Sequence, residues 1–147
     1  MGVYVPKAAT VQDLSGLGRG SLTASIPALS ALGVQACPIP TAVLSCQTGF
    51  SPFHMTDGSD WLDAFLDDWQ QAGVTLDGIF TGFLANERQT AFLWRLIGRF
   101  RRSDTLLLVD PVMGDDGAAY VNYTPRMGAE LRRLAYAADV ITPNLTE

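Results

Sequence analysis

An α/β fold, with a mainly parallel sheet layered between helices, is what this sequence predicts. Three observations carry that expectation. Leu106–Val109 is an unbroken apolar run, the signature of a strand buried on both faces of a parallel sheet. Strand-like runs and helix-period stripes alternate five times along the chain with short connections, as βαβ units do. The composition is 48% hydrophobic and 17% charged over 147 residues, enough chain for one domain with a real core.

Taken in order, Ala8–Gln12 reads as a first strand that ends at Asp13. The turn Ser15-Gly16-Leu17-Gly18-Arg19-Gly20 follows. Ser21 is a candidate N-cap. Leu22, Ile26, Leu29 and Leu32 then mark one helix face, and Gly33 suits the position after its end. Pro27 predicts a kink or a late start. Val34–Val43 holds a second strand, broken by Pro38 and Pro40, and residues 44–52 read as a polar loop.

Asp57 is placed to cap the next helix, whose stripe is Leu62, Phe65, Leu66 and Trp69. Asp60, Asp63, Asp67 and Asp68 fall elsewhere on it, as a solvated face. Asp77–Phe83 is a third strand running into a Gly-rich loop. Asn86 caps a helix carrying Phe92, Leu93, Leu96, Ile97 and Phe100. Arg95, Arg99, Arg101 and Arg102 gather at its end, where they complement the helix dipole. Leu106–Asp110 is the fourth strand. Thr124-Pro125 is an N-cap with Pro at the first helical position, before a stripe of Met127, Leu131, Leu134 and Ala138. Asp139–Pro143 is the fifth strand, and Asn144–Glu147 follows it.

The totals exclude several function classes. A net charge of −5 argues against nonspecific nucleic-acid binding. No apolar run reaches membrane-spanning length, and Met1–Lys7 lacks the features of a signal peptide. Cys37 and Cys46 are too few for a disulfide framework, so both are expected as thiols of a cytoplasmic protein. Lys7 is the only lysine, which rules out a P-loop lysine or a mid-chain Schiff base. His54 is the only histidine, without neighbouring ligand candidates. No Gly-x-Ser-x-Gly elbow occurs. Gly16-Leu-Gly18-Arg-Gly20 invites a dinucleotide-binding reading, but its third glycine is misplaced and no acidic residue ends the second strand. What remains there is a glycine turn able to bring backbone N–H groups to a ligand, or a plain tight turn.

The remaining signal is geometric. Asp13, Thr48, Phe83, Asp110 and Glu147 all follow predicted strands, and in a parallel sheet those ends share one edge, where ligands bind. Pro111 stops the fourth strand and leaves Asp110 at its carboxyl end. Asp110, Asp115 and Asp116 surround a loop loosened by Gly114 and Gly117. Three carboxylates there suit a hard cation with substrate phosphates, or simply a solvated acidic turn.

Val109-Asp-Pro-Val-Met-Gly-Asp115 and Ala138-Asp-Val-Ile-Thr-Pro-Asn-Leu-Thr-Glu147 resemble two signature stretches of the ribokinase-like superfamily, in its vitamin-kinase branch. Val11–Leu22, Leu32-Gly-Val34, Leu44-Ser-Cys-Gln-Thr-Gly-Phe50 and Phe80-Thr-Gly-Phe-Leu84 are similar to the pyridoxal/pyridoxamine kinases within it. The resemblance runs from about Ala8 to Glu147. It implies transfer of the ATP γ-phosphoryl group to the 5′-hydroxymethyl of pyridoxal, pyridoxamine or pyridoxine. ATP is then the co-substrate, and Mg²⁺ the cation, with a monovalent cation as a further candidate.

By resemblance, Asp13, Gly18, Gly20, Thr48 and Phe83 bind the vitamer, Phe83 by packing on the ring. Asp110, Thr142 and Asn144 face the phosphates, and Asp115 and Glu147 the metal. Relatives often carry Ser where Asp13 stands and an aromatic where Leu44 stands, which leaves the vitamer open. The family's Gly-Thr/Val-Gly-Asp segment, which forms the anion hole and supplies the base Asp, does not occur in these residues. The resemblance therefore implies a three-layer αβα domain represented by its N-terminal portion. No catalytic base is expected within residues 1–147, and the chain alone is expected to be inactive. A homodimer or higher homo-oligomer is the expected assembly. The alternatives are a hydroxymethylpyrimidine (phosphate) kinase and, in another class, a non-catalytic oligomeric fragment.

Overall fold

The computed structural model describes residues 4–147. The first residues of the segment expected to lack a signal peptide, Met1–Val3, lie outside that range. In chain order the elements are β1 (Lys7–Leu17), α1 (Leu22–Ala31), β2 (Gln35–Cys46), β3 (Met55–Asp57), α2 (Leu62–Gln71), β4 (Gly78–Thr81), α3 (Arg88–Phe100), β5 (Leu106–Val109), β6 (Gly114–Asp115), β7 (Ala118–Ala119), α4 (Pro125–Ala137) and β8 (Val140–Ile141). Six strands form one sheet in the order β3-β2-β1-β4-β5-β8. All its pairings are parallel except β2 with β3.

Helix α1 packs on one face of the sheet, over β1 and β2. The other face carries α2, α3 and α4. Leu62 and Leu66, then Phe92, Leu93, Leu96 and Phe100, then Met127, Leu131 and Leu134 cover Ala9, Val11, Ile39, Ile79, Leu107 and Val109. The helical layers are thus unequal: Leu106, Val140 and Ile141 stay 49%, 41% and 49% exposed.

Several local expectations change. β1 runs five residues past Gln12 because β2 continues beside it through Leu17↔Cys46. β2 is not broken by its prolines. Pro38 and Pro40 pair with β1 on one side, while β3 covers β2 only from Ala42 to Leu44. Their missing N–H groups therefore face an unpaired edge, where proline is tolerated. α1 starts on time at Leu22 with Pro27 inside it, and Ser21 makes no side-chain cap. Leu32, assigned to its buried face, is 79% exposed.

Asp57 does not cap α2; it ends β3 and accepts hydrogen bonds from Ser59 N and from the Gln89 side chain, each at 2.8 Å. Asn86 Oδ1 does bond the amide of Arg88 at the start of α3, at 2.8 Å. Thr124 caps α4 through the Met127 amide at 3.1 Å. Arg99 lies in the last turn of α3, as expected, but the arginine side chains also reach other elements. Arg95 and Arg99 pair with Asp63 and Asp67 of α2, and Arg101 with Asp139. The two pairs to α2 are largely exposed, so each contributes less than about 1 kcal/mol. Cys37 and Cys46 are free. Among the described residues, no helix is long and apolar enough to cross a membrane.

Candidate functional site

The chain reverses direction at β1. The first crossover leads to β2 on one side; the next passes back to β4 on the other. Adjacent strands whose connections diverge leave a crevice at their carboxyl ends. Three adjoining cavities of about 320, 140 and 340 Å³ open there, and Phe83 lines all of them.

Local sequence builds the middle cavity. Between Gln12↔Pro40 and Leu14↔Val43 the register shifts. Two residues of β2, Thr41 and Ala42, then stand opposite Asp13 alone. Such a bulge re-aims side chains beside it. Asp13 is buried, lines the cavity and accepts a hydrogen bond from Ser15 Oγ at 3.0 Å. The buried Thr41 hydroxyl donates to the Phe83 carbonyl at 2.7 Å, which holds the turn carrying the Phe83 ring. Thr48 lines the middle and outer cavities from the β2–β3 turn.

The two glycines have different places. Gly20 lines the middle cavity, but its N–H already donates to Thr23 Oγ1 at 3.1 Å. Gly18 has φ +90°, and a Cβ there would lie 2.6 Å from Gln47 Cγ. Its position is one of close packing against the β2–β3 turn.

Asp110 directly follows β5 and lines the first, inner cavity with Gln12, Ser25 and Phe80. Burial, and next the charge of Glu147, push its carboxyl up to about 6; a hydrogen bond from the Thr142 hydroxyl opposes them. The acidic loop after it folds as a hairpin. β6 and β7 pair through Asp116 and Gly117, with φ +49° and +78°. Gly114 is forced there, since a Cβ would approach Ala118 O to 2.2 Å.

The last residues lace onto this hairpin. Asn144 Nδ2 donates to Gly114 O at 2.8 Å, while its Oδ1 accepts from the amides of Thr146 and Glu147. Glu147 accepts from Met113 N at 2.9 Å and Asn144 N at 3.1 Å. Asp115 is exposed in the wall of the outer cavity. Among the described residues, no group of three or more His, Cys, Asp or Glu side chains forms a ready metal cage.

Tyr120 is the residue that sequence reasoning missed. The hairpin returns it to the middle and outer cavities, beside Thr48 and Phe83. Burial, followed by the charges of Asp115, Glu147, Asp110 and Asp116, pushes its hydroxyl upward. The Asp116-Gly117 dipeptide was the available signal, because this pair favours a two-residue hairpin turn.

No family model matches the chain. A pyridoxine/pyridoxal/pyridoxamine kinase of Bordetella avium is 33% identical over 94% of this chain and 48% of the relative. A Bacteroides thetaiotaomicron structure described as a candidate phosphomethylpyrimidine kinase, in a form with pyridoxal, superposes with a TM-score of 0.94 at 46% identity. It covers 98% of this chain and 50% of its own. A pyridoxal kinase of Lactobacillus plantarum gives 0.89 at 30% identity, covering 98% and 51%. The chain spans about half the length of the curated relatives it matches. In sequence and in fold, the chain is similar to about half of a pyridoxal or phosphomethylpyrimidine kinase of the ribokinase-like fold.

Proposed function

We propose that this chain is the substrate-side portion of an ATP-dependent kinase acting on pyridoxal, pyridoxamine or pyridoxine. The observation that carries the reading is the crevice at the topological switch point. Its three cavities meet at Phe83, and the Asp110 and Glu147 carboxylates lie beside them. The solved relative at 46% identity holds pyridoxal, which supports a B6 vitamer against Phe83 and Thr48.

The donor set suits Mg²⁺. Burial and the Glu147 charge both raise Asp110, so a cation at this end of the crevice would relieve the repulsion between the two carboxylates. Mg²⁺ is commonly held by one or two carboxylates together with substrate phosphates. Asp115 and Glu147 would hold it, with Asp110, Thr142 and Asn144 toward the phosphates. Once bound, the cation would neutralise charge on the phosphoryl oxygens. The chain's own residues fix the acceptor: Phe83 packs on the ring, and Asp13 and Thr48 orient its polar edge. No residue in the crevice is assigned as the base. In this reading the base and the anion hole come from polypeptide other than residues 1–147, and this chain binds without turnover.

Pyridoxal titrated into the 147-residue chain is expected to bind with 1:1 stoichiometry, with no ATP- and Mg²⁺-dependent phosphorylation. Phe83→Ala is expected to weaken binding by about tenfold, the equivalent of one aromatic packing contact. Equal affinity in both proteins would remove Phe83 from the site, and turnover by the homogeneous chain would overturn the missing-base reading. A hydroxymethylpyrimidine ligand is the second reading, favoured by the described activity of the Bacteroides relative. Self-association belongs to the proposal as well, because Leu106, Val140 and Ile141 leave apolar sheet surface uncovered. Light scattering is expected to show more than one chain per particle; a monomer would overturn that part.

A further inference from the structure

The turn that carries Phe83, residues 83–85, is tied to separate parts of the chain. The Thr41 hydroxyl donates to Phe83 O at 2.7 Å, and Asn122 Nδ2 donates to Leu84 O at 2.8 Å. Gln89, in the first turn of α3, reaches the same segment: its Oε1 accepts from the Ala85 amide at 2.8 Å. Its Nε2 donates to Thr41 O and to Asp57 Oδ1, each at 2.8 Å. Ala85 packs in one cluster with Phe83, Ala42 and Leu44, so its amide is held where the ring is seated. Gln89 is 1% exposed. It begins the stripe of α3 that continues through Phe92, Leu93, Leu96 and Phe100, where the helical period calls for an apolar side chain. A carboxamide is tolerated at such a place only with its groups paired. Here the oxygen and the nitrogen are both used, and a ring of bonds closes from Gln89 to Thr41, from Thr41 to Phe83 and from Ala85 back to Gln89. A fully satisfied buried network of this kind rigidifies the segment it holds. Gln89 itself lines none of the three crevice cavities.

We infer that Gln89 is a positioning residue, which sets the Phe83 ring for its aromatic ligand by holding the backbone of residues 83–85 against β2. This rests on the substrate reading above, in which Phe83 packs on the ligand ring. A methionine at position 89 would fill the same volume but leave the Ala85 N–H, in a buried residue, without its partner. An unpaired buried donor is costly, so the turn would move to regain one, and the ring would move with it. Gln89 thus acts on the ligand only through Phe83.

The test is a double-mutant cycle read by calorimetric titration of pyridoxal at pH 7.5. The proteins are the unmodified 147-residue chain, Gln89→Met, Phe83→Ala and the double variant. Gln89→Met is expected to weaken binding about fivefold in the unmodified background and less than about twofold beside Phe83→Ala, a coupling within the range for groups that share a network. A side chain that merely supports the fold would weaken binding by the same factor in both backgrounds. That result, or no loss in either background, would overturn the assignment and leave Phe83 in the site. Thermal melting confirms that Gln89→Met folds. Amide hydrogen exchange of the unmodified chain, without ligand, reads the same hold when the variant does not fold. The Ala85 amide is expected to exchange as slowly as the central amides of α3; exchange at the rate of an exposed loop would overturn the assignment. Absence of pyridoxal binding by the unmodified chain would overturn the substrate reading, and this assignment with it.

Discussion

Phe92→Ala is expected to lower the free energy of unfolding by about 3–5 kcal/mol, the usual range for a buried phenylalanine truncated to a methyl group. Phe92 is 1% exposed. It belongs to the cluster in which α2, α3 and α4 meet the sheet, with Leu66, Leu93, Leu96, Leu107 and Leu131. Leu66, Leu107 and Leu131 come from α2, β5 and α4, while Leu93 and Leu96 share α3 with Phe92. The site cannot collapse to fill the void, so the cavity adds to the lost transfer free energy. Stability of a domain is typically 5–15 kcal/mol, so the variant is expected to unfold in low denaturant. Urea unfolding followed by Trp fluorescence measures it. A midpoint unchanged within error would mean that this helix layer is not the main core.

Asp110→Asn is expected to act in the opposite direction, stabilising the chain at pH 7.5 in the absence of added cation. The folded carboxyl is pushed up to about 6 by burial and then by Glu147, while the unfolded one lies near 3.9. The folded state therefore holds its proton to higher pH than the unfolded state. Its contribution is fully present below about pH 4, is lost as pH rises through about 6, and is flat above that. Two pKa units correspond to about 3 kcal/mol, and partial solvent access reduces this to about 1–2 kcal/mol. The amide variant lacks the charge, so its stability advantage grows between pH 4 and 6 and then levels off. Thermal melts at pH 4, 5, 6 and 7.5 read the difference. A constant gap between the two proteins over that range would show that Asp110 carries no strained charge. Mg²⁺ with a phosphate ligand is expected to narrow the gap at pH 7.5, because the cation relieves the same repulsion.

Much of the site was legible because its residues follow strands. The apolar run before Asp110 and the proline after it place that carboxylate at a sheet edge whatever the rest of the chain does. The motifs around Asp13, Thr48 and Phe83 carried the family resemblance, and the solved relatives agree with the fold it implied. Tyr120 was not legible as a site residue, since only the turn through Asp116 and Gly117 brings it back. The partners of the α3 arginines were not legible for a related reason. Helix-end chemistry is local, but their partners Asp63 and Asp67 lie on another helix 32 residues earlier.

Pro38 and Pro40 show the same division. By themselves they argue for a broken strand, and the strand survives because tertiary pairing leaves that side of β2 unpaired. Periodicity, capping residues and strand-ending prolines are encoded within a few positions, so the alternation of elements, the α/β class and the edge that carries the site follow from the sequence by itself. Tertiary structure alone decided which strand lies at the sheet border and which face keeps only α1. It also set the bulge beside Asp13 and the charge of Glu147 against Asp110. Those features arise where segments distant in sequence come within a few ångströms, and steric fit, burial and Coulomb repulsion act across that gap.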